Sequence, residues 1–254
     1  MIAALPMYDR PETAAANDRL WALLRAALAD RGVAAPVALS RDEPDMMALW
    51  LRPDLVLAQT CGYPYRTRLH GHVTLIGTPD YGIEGCPPGH YCSAVLIRAD
   101  DPRDSLAALA GARLAYNDAL SQSGWAALAA HAPELMRGPQ LRTGAHAASA
   151  RAVAEGRADF AALDAVSWRL IARAEPFAGR LRAIAATPPT PGLPLIAARG
   201  ADRAASFAAV AEAIGALTED DRETLLLRGL VAIPEADYLA VPTPPPPARI
   251  AGAG

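Results

Sequence analysis

Short apolar runs alternate with amphipathic stretches along this chain, a pattern of βα units and a largely parallel sheet. Ile2-Ala3-Ala4-Leu5-Pro6 reads as a first buried strand. Asp9 to Glu12 places an acid just before Pro11, a helix start. The helix that follows, from about Thr13 to Arg31, puts Leu20, Leu23, Leu24, Ala27 and Leu28 on one face, and Gly32 ends it. Val37–Leu39 is expected as a second strand, Asp45–Leu51 as a short helix and Leu55–Ala58 as a third strand. Gln59–Pro64 is expected as a loop, and Val73–Thr78 as a fourth strand. Tyr91–Arg98 reads as one long strand.

A second α/β pattern then begins. Strands are expected at 112–116, 160–163, 181–185 and 195–198. Helices are expected at 124–132, 147–155, 166–174, 204–217 and 220–227. The long strand near Tyr91 and the proline-rich segment from Thr187 to Pro194 read as two crossings between lobes. The expected fold is α/β and two-lobed, each lobe a mixed, mostly parallel sheet flanked by helices, with the ligand cleft between the lobes. Residues 1–93 and 190–241 would form lobe one and residues 94–189 lobe two. Residues 242–254, with four consecutive prolines, would be a flexible tail.

Composition narrows the function. All 24 basic residues are arginine, which removes any mechanism that needs a lysine, such as a Schiff base or a P-loop. A net charge of −3 gives no reason to expect nucleic acid. No run of 18 apolar residues would span a membrane. The first residues lack a basic segment followed by an apolar one. The expected compartment is therefore the cytoplasm, or the periplasm if a signal segment precedes this chain. Cys86 and Cys92 flank a Pro-Pro-Gly turn and either pair or remain thiols. Together with His90 they make only a weak metal candidate, so neither metal nor cofactor is expected.

Three stretches carry a family resemblance. Gly89-His90-Tyr91-Cys92-Ser93-Ala94-Val95-Leu96-Ile97 resembles the crossing strand of the periplasmic phosphonate-binding proteins. Asn117-Asp118-Ala119-Leu120-Ser121-Gln122-Ser123-Gly124-Trp125 is similar to that family's Ser-Thr-Ser-Gly loop, with Gln122 where threonine is usual. Thr143-Gly144-Ala145-His146, Ala152-Val153 and Arg157-Ala158-Asp159 resemble its His-containing helix start and the strand after it. The resemblance implies a type II periplasmic-binding fold, an ABC importer's substrate-binding protein for phosphate, phosphite or a phosphonate, and a permease as partner. It also implies a monomer without catalysis.

The residues support an anion site on their own chemistry. Ser121-Gln122-Ser123-Gly124 precede a helix, so hydroxyls and unpaired N–H groups meet the positive end of its dipole. Gly124 permits close backbone approach; the plainer reading is a serine cap. His146 opens a second helix and could donate to the same oxyanion, or simply be solvated. Tyr91 would close over the ligand or fill the core. Tyr8, Gln59 and Tyr63 follow strands, where ligands collect in open α/β sheets. Arg41 would offer a guanidinium or be a solvated loop residue.

One departure from the family bears on the ligand. The two positions at which aminoalkyl-phosphonate binders hold an ammonium with carboxylates fall here on Val166 and Leu193. Asp164 either substitutes or caps the helix beginning near Val166. An unpaired ammonium would be costly in such a pocket, so a simple oxyanion, with or without an apolar tail, is expected. The alternative is a cytoplasmic enzyme or sensor on the same scaffold. Ser121, Ser123, His146 and Asp164 hold the atom types of a Ser/His/Asp set.

Overall fold

In chain order the first elements are β1 (Ile2–Ala4), α1 (Ala14–Ala29), α2 (Met46–Trp50), β2 (Leu55–Gln59), α3 (Gly62–Pro64), β3 (Val73–Asp80) and β4 (His90–Tyr91). A π-helical turn over Tyr65–Leu69 continues α3. Next come β5 (Ser93–Arg98), β6 (Leu114–Tyr116), a π-helical turn over Gln122–Ala126, α4 (Ala127–His131), β7 (Gln140–Arg142), α5 (His146–Ala154), β8 (Phe160–Asp164), α6 (Ala165–Ala174) and β9 (Leu181–Ala186). The last are β10 (Thr190–Pro191), β11 (Leu195–Ala198), α7 (Arg203–Ala216), α8 (Glu219–Leu225), β12 (Gly229–Val231) and α9 (Glu235–Leu239). This computed structural model describes residues 1–247. The chain divides into two compact units, residues 1–91 with 189–240, and residues 92–188 with the segment from 241 onward.

The first unit holds a five-stranded mixed sheet in the order β1-β2-β11-β3-β12. β1 and β2 are parallel, and β11 lies antiparallel between β2 and β3. Both faces are covered, which explains the unbroken apolar runs. Ala3, Leu57, Ile76 and Leu195 pack towards α1, α7 and α8. Ile2, Leu55, Leu75 and Ile196 pack on the other face with Trp50, Tyr65 and Tyr238. Tyr238 pins α9 in place, since its hydroxyl lies 2.6 Å from the Thr78 hydroxyl and donates to the Gly192 carbonyl at 3.0 Å. The sequence also explains the helix starts. Carboxylates of Asp45 and Asp202 accept the first N–H groups of α2 and α7, and the Thr218 hydroxyl accepts from Asp221 in α8.

The second unit repeats the scheme with the order β7-β6-β8-β5-β9. β6, β7 and β8 are parallel, and β5 lies antiparallel between β8 and β9. In each sheet the strand that has just crossed from the other unit, β11 in the first and β5 in the second, runs against both of its neighbours, and in the first sheet β12 is antiparallel to β3 as well. The crossing segments are bonded to each other on both sides. Within the first unit Tyr91 pairs with Thr190. Within the second, the Ser93 N–H donates to the Thr187 hydroxyl and the Thr187 N–H to the Ser93 carbonyl, each at 3.0 Å.

Several expectations are corrected. Val37–Leu39 is not a strand: the Pro36 carbonyl accepts from the Trp21 indole, Val37 is 81% exposed, and only Ser40 bonds to β1, through Ala3. The segment 59–64 is not all loop, because Gly62 begins a helical turn. The strand from Tyr91 to Arg98 breaks at Cys92, its two parts belonging to different sheets. β7, β12 and α9 were not expected: β7 and β12 are three residues long and α9 five, too short for periodicity to register. The proline run does not begin as a free end, since the Trp125 indole donates to the Pro245 carbonyl at 3.0 Å. Residues 248–254 of the expected tail lie outside the described residues.

Candidate functional site

Strands β6, β7 and β8 run in one direction, so the segments after them share one edge of the second sheet. Tyr116 ends β6 and Asn117 follows. The chain then turns through Asp118, whose carbonyl accepts the Ser121 N–H at 3.1 Å. Ser121 caps the next helix, its hydroxyl accepting the Gly124 N–H at 2.9 Å. The Ala126 N–H donates to the Ser121 carbonyl at 3.0 Å, five residues back, which makes the first turn π-helical. This wide turn continues into α4, so Gln122 to His131 form one helical run with its opening amides at the sheet edge.

The segment after β7 is stapled to the end of β6. The Thr143 N–H and hydroxyl both donate to the Tyr116 carbonyl, at 2.9 and 3.1 Å, and the Gly144 N–H donates to the Asn117 carbonyl at 3.0 Å. Gly144 has φ of +85°, a left-handed turn that glycine adopts without strain. The turn delivers His146 to the first position of α5, where its Nε2 and the Ser123 hydroxyl share a hydrogen bond of 3.0 Å. The ring is half-buried, yet its Nδ1 is shielded from solvent and has no hydrogen-bond partner. Burial pushes its pKa down to about 4, so the imidazole is neutral near pH 7.

Gly124 has a structural reason that the sequence alone does not reveal. A Cβ there would lie 1.9 Å from the Asn117 Oδ1. That oxygen is itself buried without a partner. Asn117 is a residue that sequence reading missed as a participant, having quoted it only as part of the motif. Its signal was its position immediately after a strand.

Asp164 ends β8 at the same edge, 2% exposed, and its carboxylate accepts the Ser167 N–H at 2.9 Å as the cap of α6. Val166 and Leu193 are buried, so neither position offers charge.

The remaining candidates belong to the first unit, near the carboxyl ends of β1 and β2 and in β4. Tyr8 is buried with its ring edge-on to Tyr81, centroids 4.9 Å apart. The Gln59 amide donates to the Tyr81 hydroxyl at 3.2 Å and the Leu193 carbonyl at 3.5 Å. Thr60 is fully buried, and its hydroxyl has no partner. Tyr63 lies in α3 beneath the Arg66 guanidinium, 4.7 Å from the ring centroid. Burial pulls the Arg66 pKa below the usual arginine range, offset in part by Cys61, Tyr63 and Tyr91. Arg66 was missed because a lone arginine beyond a turn has no distinguishing pattern. Tyr91 is buried in β4. Arg41 lies in an exposed loop, where Asp9 and Asp18 hold its guanidinium at 2.6 and 2.8 Å. No disulfide joins the three cysteines. Among the described residues no group of three or more His, Cys, Asp or Glu is placed to hold a metal ion, and no helix is long and apolar enough to cross a membrane.

Two α/β units, each with a mixed sheet entered by an antiparallel crossing strand, have the type II periplasmic-binding fold. The chain belongs to the family described as ABC transporter, phosphonate, periplasmic substrate-binding protein, whose model matches residues 2–237. No curated protein matches it significantly. Among solved structures, PhnD1 of Prochlorococcus marinus in complex with methylphosphonate superposes with a TM-score of 0.69 at 14% identity, covering 93% of each chain. A binding-protein component of an ABC phosphonate transporter from Pseudomonas aeruginosa gives 0.67 at 16% identity, covering 94% of this chain and 82% of its own. A Xanthomonas citri protein bound to ATP gives 0.66 at 17% identity, over 93% and 92%. At these identities the likeness is one of fold.

Proposed function

We propose that this protein captures a small phosphorus oxyanion, such as phosphate, phosphite or a simple phosphonate, and holds it at the helix start Ser121–Gly124. The observation that carries this reading is the Ser123–His146 pair beside the opening amides of that helix. A neutral imidazole that donates through Nε2 to the Ser123 oxygen frees the Ser123 O–H to donate to an anion. His146 thus acts through Ser123 as well as by its own place at the site. The helix end adds partial positive charge without a formal cation.

The ligand carries no amine. Asp164 is engaged as the cap of α6, and Val166 and Leu193 are apolar, so an ammonium group would be buried without a partner. Methylphosphonate, the ligand named for the Prochlorococcus marinus neighbour, has the required form.

The role is binding without turnover. A Ser/His/Asp mechanism needs a carboxylate on the histidine's second nitrogen, and the His146 Nδ1 has no partner. A ring whose pKa is lowered to about 4 is also a weak base near neutrality. The family description supports a periplasmic location and a permease that receives the loaded protein. Titration calorimetry with phosphate, phosphite, methylphosphonate and 2-aminoethylphosphonate tests the ligand class. Tight binding of one of the first three and weak binding of the last is expected. The reverse order would overturn the reading.

A further inference from the structure

Trp125 is the largest side chain of the π-helical turn that carries Gln122 to Gly124, and it is only 3% exposed. Its ring packs against Tyr116, with centroids 5.1 Å apart and an interplanar angle of 57°. Tyr116 ends β6, and its carbonyl accepts the Thr143 N–H and hydroxyl in the turn that leads to His146. The Trp125 indole N–H donates to the Pro245 carbonyl at 3.0 Å. Pro245 lies 120 residues further along, within the proline run Pro244–Pro247. That run follows α9, which belongs to the first unit, whereas the chain from Val241 onward belongs to the second. The chain therefore enters the second unit twice, and its second entry is tied to the helix start proposed as the anion seat.

We propose that the proline run is a strap that positions Trp125, and through it the π-helical turn, so that loosening the strap weakens anion binding while the protein stays folded. This rests on the reading of Ser121–Gly124 as an anion seat, and adds to it Trp125 as a positioning residue and the segment that holds it. Consecutive prolines carry carbonyl acceptors and no N–H donors, so they make no bonds among themselves and their carbonyls stay open to outside donors. Aromatic side chains receive proline-rich segments on the same grounds in many recognition modules. Each proline also restricts the residue before it, so the run is stiff and presents Pro245 with little loss of freedom. The turn gains from such a hold, because π-helical turns are rare and occur as single turns within longer helices. A largely buried indole N–H would also cost free energy if left unpaired.

Two variants remove the same bond from opposite sides. Pro244→Gly, Pro245→Gly, Pro246→Gly and Pro247→Gly, made together, loosen the strap. Trp125→Phe keeps an aromatic ring against Tyr116 and removes the donor. Hydrogen exchange of the indole resonance that Trp125→Phe lacks reads the contact, and calorimetric titration of methylphosphonate at pH 7.5 reads the seat. Loosening the strap is expected to speed that exchange at least about tenfold and to weaken binding about three- to tenfold, with the melting transition retained. Trp125→Phe should weaken binding by a similar factor, and all the changes together by no more than either alone, because they remove one bond. Exchange unchanged by loosening the strap would overturn the contact. Faster exchange with unchanged affinity, or losses that multiply when the variants are combined, would overturn the positioning role. Each of these results leaves the anion seat intact. Failure of methylphosphonate, phosphate and phosphite alike to bind the wild type would overturn the seat itself, and the strap's role with it.

Discussion

The hydroxyl of Ser123 lies 3.0 Å from Nε2 of His146, although 23 residues separate them in the chain. Two local devices create the contact. A π-helical turn at Gln122–Ala126 widens the start of one helix. A left-handed Gly144, with Thr143 stapled to the Tyr116 carbonyl, aims the other. Parallel pairing of β6 with β7 brings both devices to the same sheet edge.

Replacing Gly124 by alanine should damage this edge. The new Cβ would fall 1.9 Å from Asn117 Oδ1, and forced contacts of this kind cost roughly 1–3 kcal/mol. Urea unfolding should show a loss of that order for Gly124→Ala. The double variant Asn117→Ala with Gly124→Ala should recover most of it, because the clashing oxygen is gone. No recovery would mean that the glycine serves another purpose.

The neutral His146 makes stability depend on pH. Its pKa is about 4 in the folded protein, against about 6.5 for an unperturbed imidazole. Above pH 6.5 neither state binds the proton and the residue contributes no pH dependence. As pH falls from 6.5 to 4 the unfolded chain takes up a proton that the folded ring refuses, so stability falls, by up to roughly 3 kcal/mol. Unfolding free energies at pH 7.5 and 4.5 should therefore drop more steeply for the wild type than for His146→Gln. Equal slopes would show that the ring titrates normally.

Asp164 separates a cap from an amine seat. Asparagine caps as well as aspartate, so Asp164→Asn should retain stability within about 0.5 kcal/mol, whereas Asp164→Ala should lose about 0.5–2 kcal/mol. Neither should improve or abolish discrimination against 2-aminoethylphosphonate. If Asp164→Asn specifically removed binding of an amine-bearing ligand, the carboxylate would be a ligand group after all.

The sequence made the site legible where chemistry is local. Ser121 before an apolar helix reads as a helix start, and the Ser-Gln-Ser-Gly motif marks it. The two crossings were legible because long apolar or proline-rich segments interrupt the βα rhythm. What stayed hidden depends on tertiary pairing. The break at Cys92 divides the run between two sheets, β4 pairing with β10 and β5 with β8 and β9, and the segment before Ser40 is tied to the Trp21 indole through the Pro36 carbonyl and not to a strand. The tie between Asn117 and Gly124 needs coordinates, since a glycine's neighbour across a turn leaves no periodic trace. Arg41 could be read either as a ligand group or as a solvated residue until Asp9 and Asp18 were seen to hold it.

The central claim is that an oxyanion sits on the Ser123–His146 edge. Calorimetric titration of methylphosphonate into the wild type and Ser123→Ala at pH 7.5 tests it most directly. Loss of one hydrogen bond to a charged group, worth about 1.5–3 kcal/mol, predicts affinity lower by about 10- to 150-fold with the melting transition retained. Equal affinity in the two proteins would contradict it.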